Sequence, residues 1–238
     1  RLPRAIRDVY KRQTQQRVAG KSNEIPALRE LLEPLDLEGV VVSADAMHTQ
    51  TGTARWITRR GGHYLLTVKG NQKILRKALK ALPWKNVPST SWIDTSHGRR
   101  VRRTVKAVEA PAWVDFPAAA QVVQLRRTRT IKSRKHVEVV YLICSLPMTD
   151  AQPEVVAAWI QGHWGIENRL HWVRDVIFDE DRHQLRTANG PEIMAALRNL
   201  AISLIRLFHS AGTSIASTTR SLSRQPKQAI KLLTQTPT

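Results

Sequence analysis

Residues 39–50 read GVVVSADAMHTQ. The run 39–44 is short, apolar and β-branched, the texture of a strand covered on both faces rather than one alternating between core and water. It ends at Asp45, and the C-terminal ends of strands are where α/β folds place their chemistry. Upstream, Ser22 or Asn23 can cap a helix whose first turn holds Glu24 and Pro26. Its buried stripe is Leu28, Leu31, Leu32 and Leu35, and the pattern runs to about Leu37. Downstream, 53–60 reads as helix, 63–69 as strand and 72–82 as an amphipathic helix stopped by Pro83. Strand and helix alternate, so the expected fold class is α/β (α+β) with a mixed sheet.

The texture changes after Trp84. Residues 99–108, 120–127 and 136–146 are strand-like and joined by polar, basic turns, so 84–148 reads as an all-β insertion. From Pro153 the pattern is helical again, with Val155, Trp159, Ile166 and Leu170 apolar, followed by Ile193, Leu197, Leu200, Leu204 and Leu207 at helical spacing. The expected organisation is a foreign or disordered start over 1–17 and the first part of a core over 18–83. After the insertion come a helical second part of the core over 149–212 and a basic polar tail over 213–238. No internal repeat is visible.

Charge narrows the function. The 238 residues carry 38 Lys and Arg against 19 Asp and Glu, a net +19, which favours a polyanionic partner through counterion release from phosphates. Nucleic acid is the leading expectation. An acidic membrane fits less well, because the cations are spread over several segments rather than along one amphipathic helix. The longest apolar runs, 39–44 and 139–143, fall far short of the roughly 20 residues that span a bilayer, and no signal-peptide pattern opens the sequence. The expected location is cytoplasmic and nucleoid-associated. The single cysteine, Cys144, lies in an apolar strand-like run and reads as core. Neither Gly61-Gly62 nor Lys69-Gly70 has P-loop spacing, so no nucleotide cofactor is expected.

Two carboxylates stand out, Asp45 at a strand end and Glu167 within 162–175, GHWGIENRLHWVRD. At about 100° per residue, His163, Glu167, His171 and Arg174 share one narrow helical arc. Two carboxylates brought together over a sheet can hold a Mg²⁺ (or Mn²⁺) ion for phosphoryl transfer, because hard divalent cations take oxygen ligands and accept phosphate as another. The ordinary alternative is a loop-capping Asp and a solvated helical Glu. Asp175 is the alternative acid, and Asp179, Glu180 and Asp181 are further ligands or surface charge. His48 and Gln50 either touch DNA, order Asp45 or cap a loop. Lys69, Asn71 and Gln72 either hold phosphate at a helix N-terminus or, for Asn71, simply cap it. His97, Arg99, Arg100, Arg102 and Arg103 form the densest basic cluster and read as a DNA-tracking surface, against the alternative of a solvated face. His163 and Arg174 read as DNA contacts or as salt-bridge partners. Of the seven tryptophans, expected mostly in the core, Trp164 and Trp172 flank the carboxylate helix and are candidates for base contacts.

Several stretches together, KSNEIPALRELLEPLDLEGVVVSADAMHTQ, GGHYLLTVKGNQ, SHGRR and GHWGIENRLHWVRDVIFDEDRHQLRTANGPEIMAALRNLAI, resemble insertion-sequence transposases of the ISAs type, a group that includes the H-repeat-associated proteins. The resemblance runs from about Val18 to the region of Leu207. It implies an RNase H-like core with a β insertion between the second and third catalytic acids. Asp45, in SADAMHTQ, would be the second acid and Glu167, in HWGIEN, the third. It also implies metal-dependent cleavage and strand transfer at transposon ends, with terminal repeats and target DNA as partners and a homodimer pairing two ends. The first acid of similar proteins lies in a DGK-like context well before KSNEI. Here Asp8 is the only aspartate that far upstream, and the role is not carried onto it, so the chain reads as N-terminally truncated. Val101 departs too, standing where similar proteins often carry an acid. Two other readings stay open, a basic DNA-binding remnant without catalysis and an RNase H-like nuclease.

Overall fold

A computed structural model describes residues 4–5, 24–96, 99–131, 134–166, 172–185, 187–208 and 214–234. The chain divides into two compact units, residues 1–7 with 18–163, and residues 8–17 with 164–238. Apart from Arg4–Ala5, the expected foreign start over 1–17 lies outside the described residues, as do Glu167, Leu170, His171 and His97.

The first unit is built on one mixed sheet of seven strands in the order β1-β2-β3-β7-β6-β5-β4. β1 (Arg4–Ala5), β2 (Val40–Ala44) and β3 (His63–Val68) run parallel. β4 (Thr90–Ser96), β5 (Arg99–Glu109), β6 (Gln121–Ile131) and β7 (Arg134–Cys144) form an antiparallel run that joins β3 through β7. The mixed α/β class is as the sequence predicts, and the β-rich stretch extends the same sheet. β4 was not among the predicted strands, because TSWIDTS is polar at most positions and its partner strand, not its own composition, places it.

Two helices connect the parallel strands, α1 (Glu24–Leu32) and α2 (Thr51–Arg59), and α3 (Lys73–Lys80) leads from β3 to the antiparallel run. α1 stops at Leu32, short of the predicted Leu37. Pro34 lacks an N–H and disfavours helical backbone at Glu33. The freed carbonyls of Glu33 and Leu35 each accept from Arg60 Nη2 at 2.9 Å. Arg60 also lies 4.9 Å over the Trp56 ring. Gly39 and Gly61 stand at φ 64° and 70°, where a side chain is strained. Their N–H and carbonyl meet at 3.0 Å, closing the gap before β2 and β3.

Strand alternation sorts the two faces of the sheet. Val42, Ala44, Tyr64, Leu66, Val68, Val122, Tyr141 and Ile143 join one apolar cluster with Leu32, Ala54, Ile57, Leu75, Leu79 and Trp84 from the helical side. Val41, Leu65, Val123, Leu125 and Leu142, the alternate residues, are buried on the opposite face. Within the helical-side cluster Tyr64 is anchored by its hydroxyl, which donates to the Pro117 carbonyl at 2.6 Å, and burial raises its pKa well above the ordinary value.

α4 (Pro153–Ile166) buries Val156, Ala157, Trp159 and Ile160, a stripe continued one turn on by half-buried His163. Val155, predicted on the buried face, is only half-buried.

In the second unit, Val173–Ile177 forms a π-helical turn, followed by α5 (Gly190–Phe208), α6 (Ile215–Arg224) and α7 (Pro226–Thr234). Val173, Ile202, Ile205 and Ile215 make its core, with Ile177, Phe178 and Leu222 packed against them. Ile193, Leu197, Leu200 and Leu207, the apolar stripe predicted for α5, are between 49% and 56% exposed, while Arg198 is buried. The stretch expected to be a polar tail carries two helices, because Ile215 and Leu222 give α6 an inward edge among its Ser, Thr and Arg residues.

Candidate active site

Asp45 follows the last residue of β2 with extended backbone, and its side chain is 60% exposed. Along the strand, Ser43 and Asp45 alternate with the cluster residues Val42 and Ala44, so both present to the opposite face. α4 delivers His163 there. Ser43 Oγ and His163 Nδ1 are hydrogen-bonded at 3.1 Å, and His163 Nε2 lies 3.7 Å from Asp45 Oδ1. The imidazole thus touches the strand at two points two residues apart. Most of the carboxylate stays open to solvent, so Asp45 offers oxygen acceptors at the C-terminal end of β2. Ser43 was not singled out by sequence; the available signal was a hydroxyl interrupting the run VVVSA two residues before the acid.

The loop after Asp45 is held from beneath. A 3-10 turn over Ala46–His48 is closed by the His48 N–H donating to the Asp45 carbonyl at 2.9 Å. The Asn71 amide donates to the Ala46 carbonyl, the Gln72 amide to the Thr49 carbonyl at 2.8 Å, and the Thr49 hydroxyl to the Thr67 carbonyl at 2.6 Å. Thr49 is fully buried. Asn71, inside the turn Gly70–Gln72, therefore ties two loops together, and the N-cap position of α3 falls to Gln72. Lys69 is exposed beside this lacing, and the His48 ring is half-buried.

The remaining predicted site residues are distributed more widely. Glu167 and His97 lie outside the described residues, and for Arg99 only the backbone in β5 is described. Arg100 and Arg102 are exposed on one face of β5. Arg103 is on the other, with a side chain 12% exposed and 3.7 Å from Asp94. Burial lowers its pKa, and Arg127 alongside adds to that, while Asp94 opposes both. Arg174 pairs with Glu180, which lies 3.9 Å from buried Arg198. Hydrogen bonds to Glu180 hold the Arg174 charge more firmly against the opposing effect of burial. Asp175 is exposed. Trp164 is half-buried and Trp172 is 53% exposed. Among the described residues, no group of three or more His, Cys, Asp and Glu side chains forms a ready metal cage. Nor is any helix among them long and apolar enough to cross a membrane.

The family described as Transposase DDE domain matches residues 13–204, a span that includes Asp45, His163 and Glu167. This chain belongs to that family. The transposase domain is 34% identical over 200 residues to the "H repeat-associated putative transposase YhhI" of Escherichia coli strain K12, covering 78% of this chain and 52% of the relative. It is also 34% identical over 206 residues to the "Putative transposase YncI" of Escherichia coli O157:H7, covering 81% of this chain and 52% of the relative. The chain thus spans about half the length of these relatives. Among solved structures, a piggyBac transposase in a synaptic complex with hairpin DNA has a TM-score of 0.40 and 16% identity, over 91% of this chain and 43% of that one. A likeness of that strength fixes neither fold nor function.

Proposed function

We propose that this transposase domain carries out metal-dependent cleavage and strand transfer of DNA at the ends of an insertion sequence, on an RNase H-like core, with Asp45 and Glu167 as two of its acids. The observation that carries the reading is Asp45 itself. It is an open carboxylate at the C-terminal end of a central parallel strand, within the matched family span.

The exposed Asp45 oxygens fit a hard divalent cation, Mg²⁺ or Mn²⁺, as one ligand; Glu167, or Asp175 in its place, would supply another. When bound, such an ion activates water or a 3′-hydroxyl and offsets charge on the phosphate. His163 holds the carboxylate side of the strand through Ser43 and Asp45, and the Asn71 and Gln72 amides fix the backbone behind it. His48 and Lys69 beside this loop, with His97, Arg99, Arg100, Arg102, Arg103, His163 and Arg174, are the proposed DNA-contacting set; the partners are transposon terminal repeats and target DNA, with a homodimer pairing two ends. The closing of Arg103 onto Asp94 and of Arg174 onto Glu180 makes those two the weakest members of the set.

A nicking assay on supercoiled plasmid with Mg²⁺ or Mn²⁺ tests the proposal. In a version that also carries the first acid, Asp45→Asn and Glu167→Gln should each abolish nicking and leave DNA affinity intact or slightly raised, because a negative charge near phosphate is lost. Nicking retained in either variant would remove that residue from the metal site. A second reading is a DNA-binding domain that does not cleave, in keeping with the net charge of +19. It predicts salt-sensitive DNA binding without nicking at any metal concentration. A nuclease on the same core would cleave yet fail to join a 3′ end to target DNA.

A further inference from the structure

The pairing register of β4–β7 lines up three rows of side chains on one face beyond the helical cluster. They are Ser91, Thr104, Arg126 and Val139; Ile93, Arg102, Thr128 and Val137; and Thr95, Arg100, Thr130 and Lys135. Arg100, Arg102, Arg126 and Lys135 are all exposed, and the rows contain no acid. Ile93, Val137 and Val139 are 49%, 52% and 37% exposed among them. Small hydroxyl and β-branched residues between the cations keep the surface low, so a duplex can approach the sheet closely. Arg100 and Arg102 stand about 7 Å apart along one strand, and strands lie about 4.8 Å apart.

The reverse face of the same strands carries Arg103, Arg127, Arg129 and Arg134, and it differs in holding two acids among them. Arg103 faces Asp94, and Arg127 lies 3.7 Å from Glu138, its direct cross-strand partner. One side of the ribbon therefore has two of its cations paired with acids, and the other has four cations and no acid in its rows.

We propose that this outer face, centred on Arg100, Arg102, Arg126 and Lys135, is a docking surface for the sugar-phosphate backbone of duplex DNA. It binds without reading sequence. The proposal rests on the DNA-acting reading above and deepens it. It divides the basic cluster seen in sequence, keeping Arg100 and Arg102 and excluding Arg103, and it recruits Arg126 and Lys135 from neighbouring strands.

The test measures affinity of the whole chain for a duplex of random sequence by fluorescence anisotropy, without metal, across a salt series. Three proteins are compared: the unaltered chain, the combined Arg100→Ala, Arg102→Ala, Arg126→Ala, Lys135→Ala variant, and a control losing the same charge through Arg220→Ala, Arg224→Ala, Lys227→Ala and Lys231→Ala. Each phosphate contact contributes about 0.9 to the slope of log K against log salt, so the face variant should lose about 3 to 4 in slope and the control less than 1. A control that loses as much as the face variant, or a face variant with unchanged slope, overturns the docking surface alone. Failure of the unaltered chain to bind duplex at all overturns the DNA-acting reading with it. Val137→Glu offers a second route that does not depend on four changes folding well. It places one acid at a half-exposed position among the cations, and should weaken binding tenfold or more with an unchanged urea midpoint; unaltered affinity would refute the surface.

Discussion

Replacing Gln121 with Leu should cost the protein about 2 kcal/mol. Gln121 opens β6 opposite Cys144 and is fully buried. Its amide donates to the Leu146 carbonyl at 2.8 Å and the Ala151 carbonyl at 3.1 Å, on the segment between β7 and α4. Leu fills a similar volume and supplies no donor. Two neutral hydrogen bonds are worth about 1 kcal/mol each, and a buried carbonyl deprived of its donor costs about 1–3 kcal/mol. Against this, Gln121 Oε1 is buried with no partner among the described residues, and removing it returns about 1–2 kcal/mol. The balance is a loss of about 2 kcal/mol, or about 4–8 °C in Tm for a chain of this size. Urea titration followed by far-UV circular dichroism reads the loss. Amide exchange over 146–156 should quicken with it, because the tether at the start of α4 is gone. Gln121→Glu, which keeps the shape but buries a charge, should lose more than Gln121→Leu. Equal or higher stability of Gln121→Leu would refute the idea that this amide secures the connection.

Burial pushes the Cys144 thiol up to about 11, with weak opposing help from backbone hydrogen bonds at Leu146 and Ser145. The folded state thus holds that proton more tightly than the unfolded state, whose thiol titrates near ~8.5. Its contribution is full below about pH 8.5 and is lost as pH rises toward 11, so urea midpoints should fall over that window more in the native chain than in Cys144→Ala. Glu180→Gln should destabilise the second unit by about 2–4 kcal/mol, since it leaves Arg174 and nearly buried Arg198 without their shared carboxylate; thermal melts unchanged within ~0.5 kcal/mol would contradict that. Asn71→Ala should raise the metal concentration needed for half-maximal nicking and leave duplex affinity unchanged, as a positioning role for the Asp45 loop requires. An unchanged metal requirement would reduce Asn71 to ordinary loop packing.

The elements most legible in the sequence were those whose burial is set by their own composition. The run 39–44 declared β2 and Asp45 because a doubly covered strand has no polar alternation to confuse it. β4 escaped notice, since its place depends on β5 as a partner. The basic cluster at 99–103 looked uniform until strand alternation put Arg102 outside and Arg103 against Asp94. Helical spacing put His163 on one arc with Glu167, but its contacts with Ser43 and Asp45 join residues 120 positions apart for the serine, and no local pattern reports them. Beyond α4, the regular helical arc assumed for Arg174 meets a π turn, where each residue advances by less than in an α-helix. Arg174, read as a DNA contact or a salt-bridge partner, pairs with Glu180, read as a further ligand or surface charge.

The lacing of Asn71 and Gln72 onto the loop after Asp45 makes two distant stretches of sequence a single heritable part. A transplant of residues 45–50 into another scaffold would arrive without the amides that hold Ala46 and Thr49, and would relax. Drift at residues 69–72 likewise reaches the carboxylate without touching it, because changing that turn releases the backbone on which Asp45 stands. Library designs aimed at this domain should therefore vary the two loops as one cassette, and leave Thr49, whose hydroxyl closes onto β3, out of the randomised set.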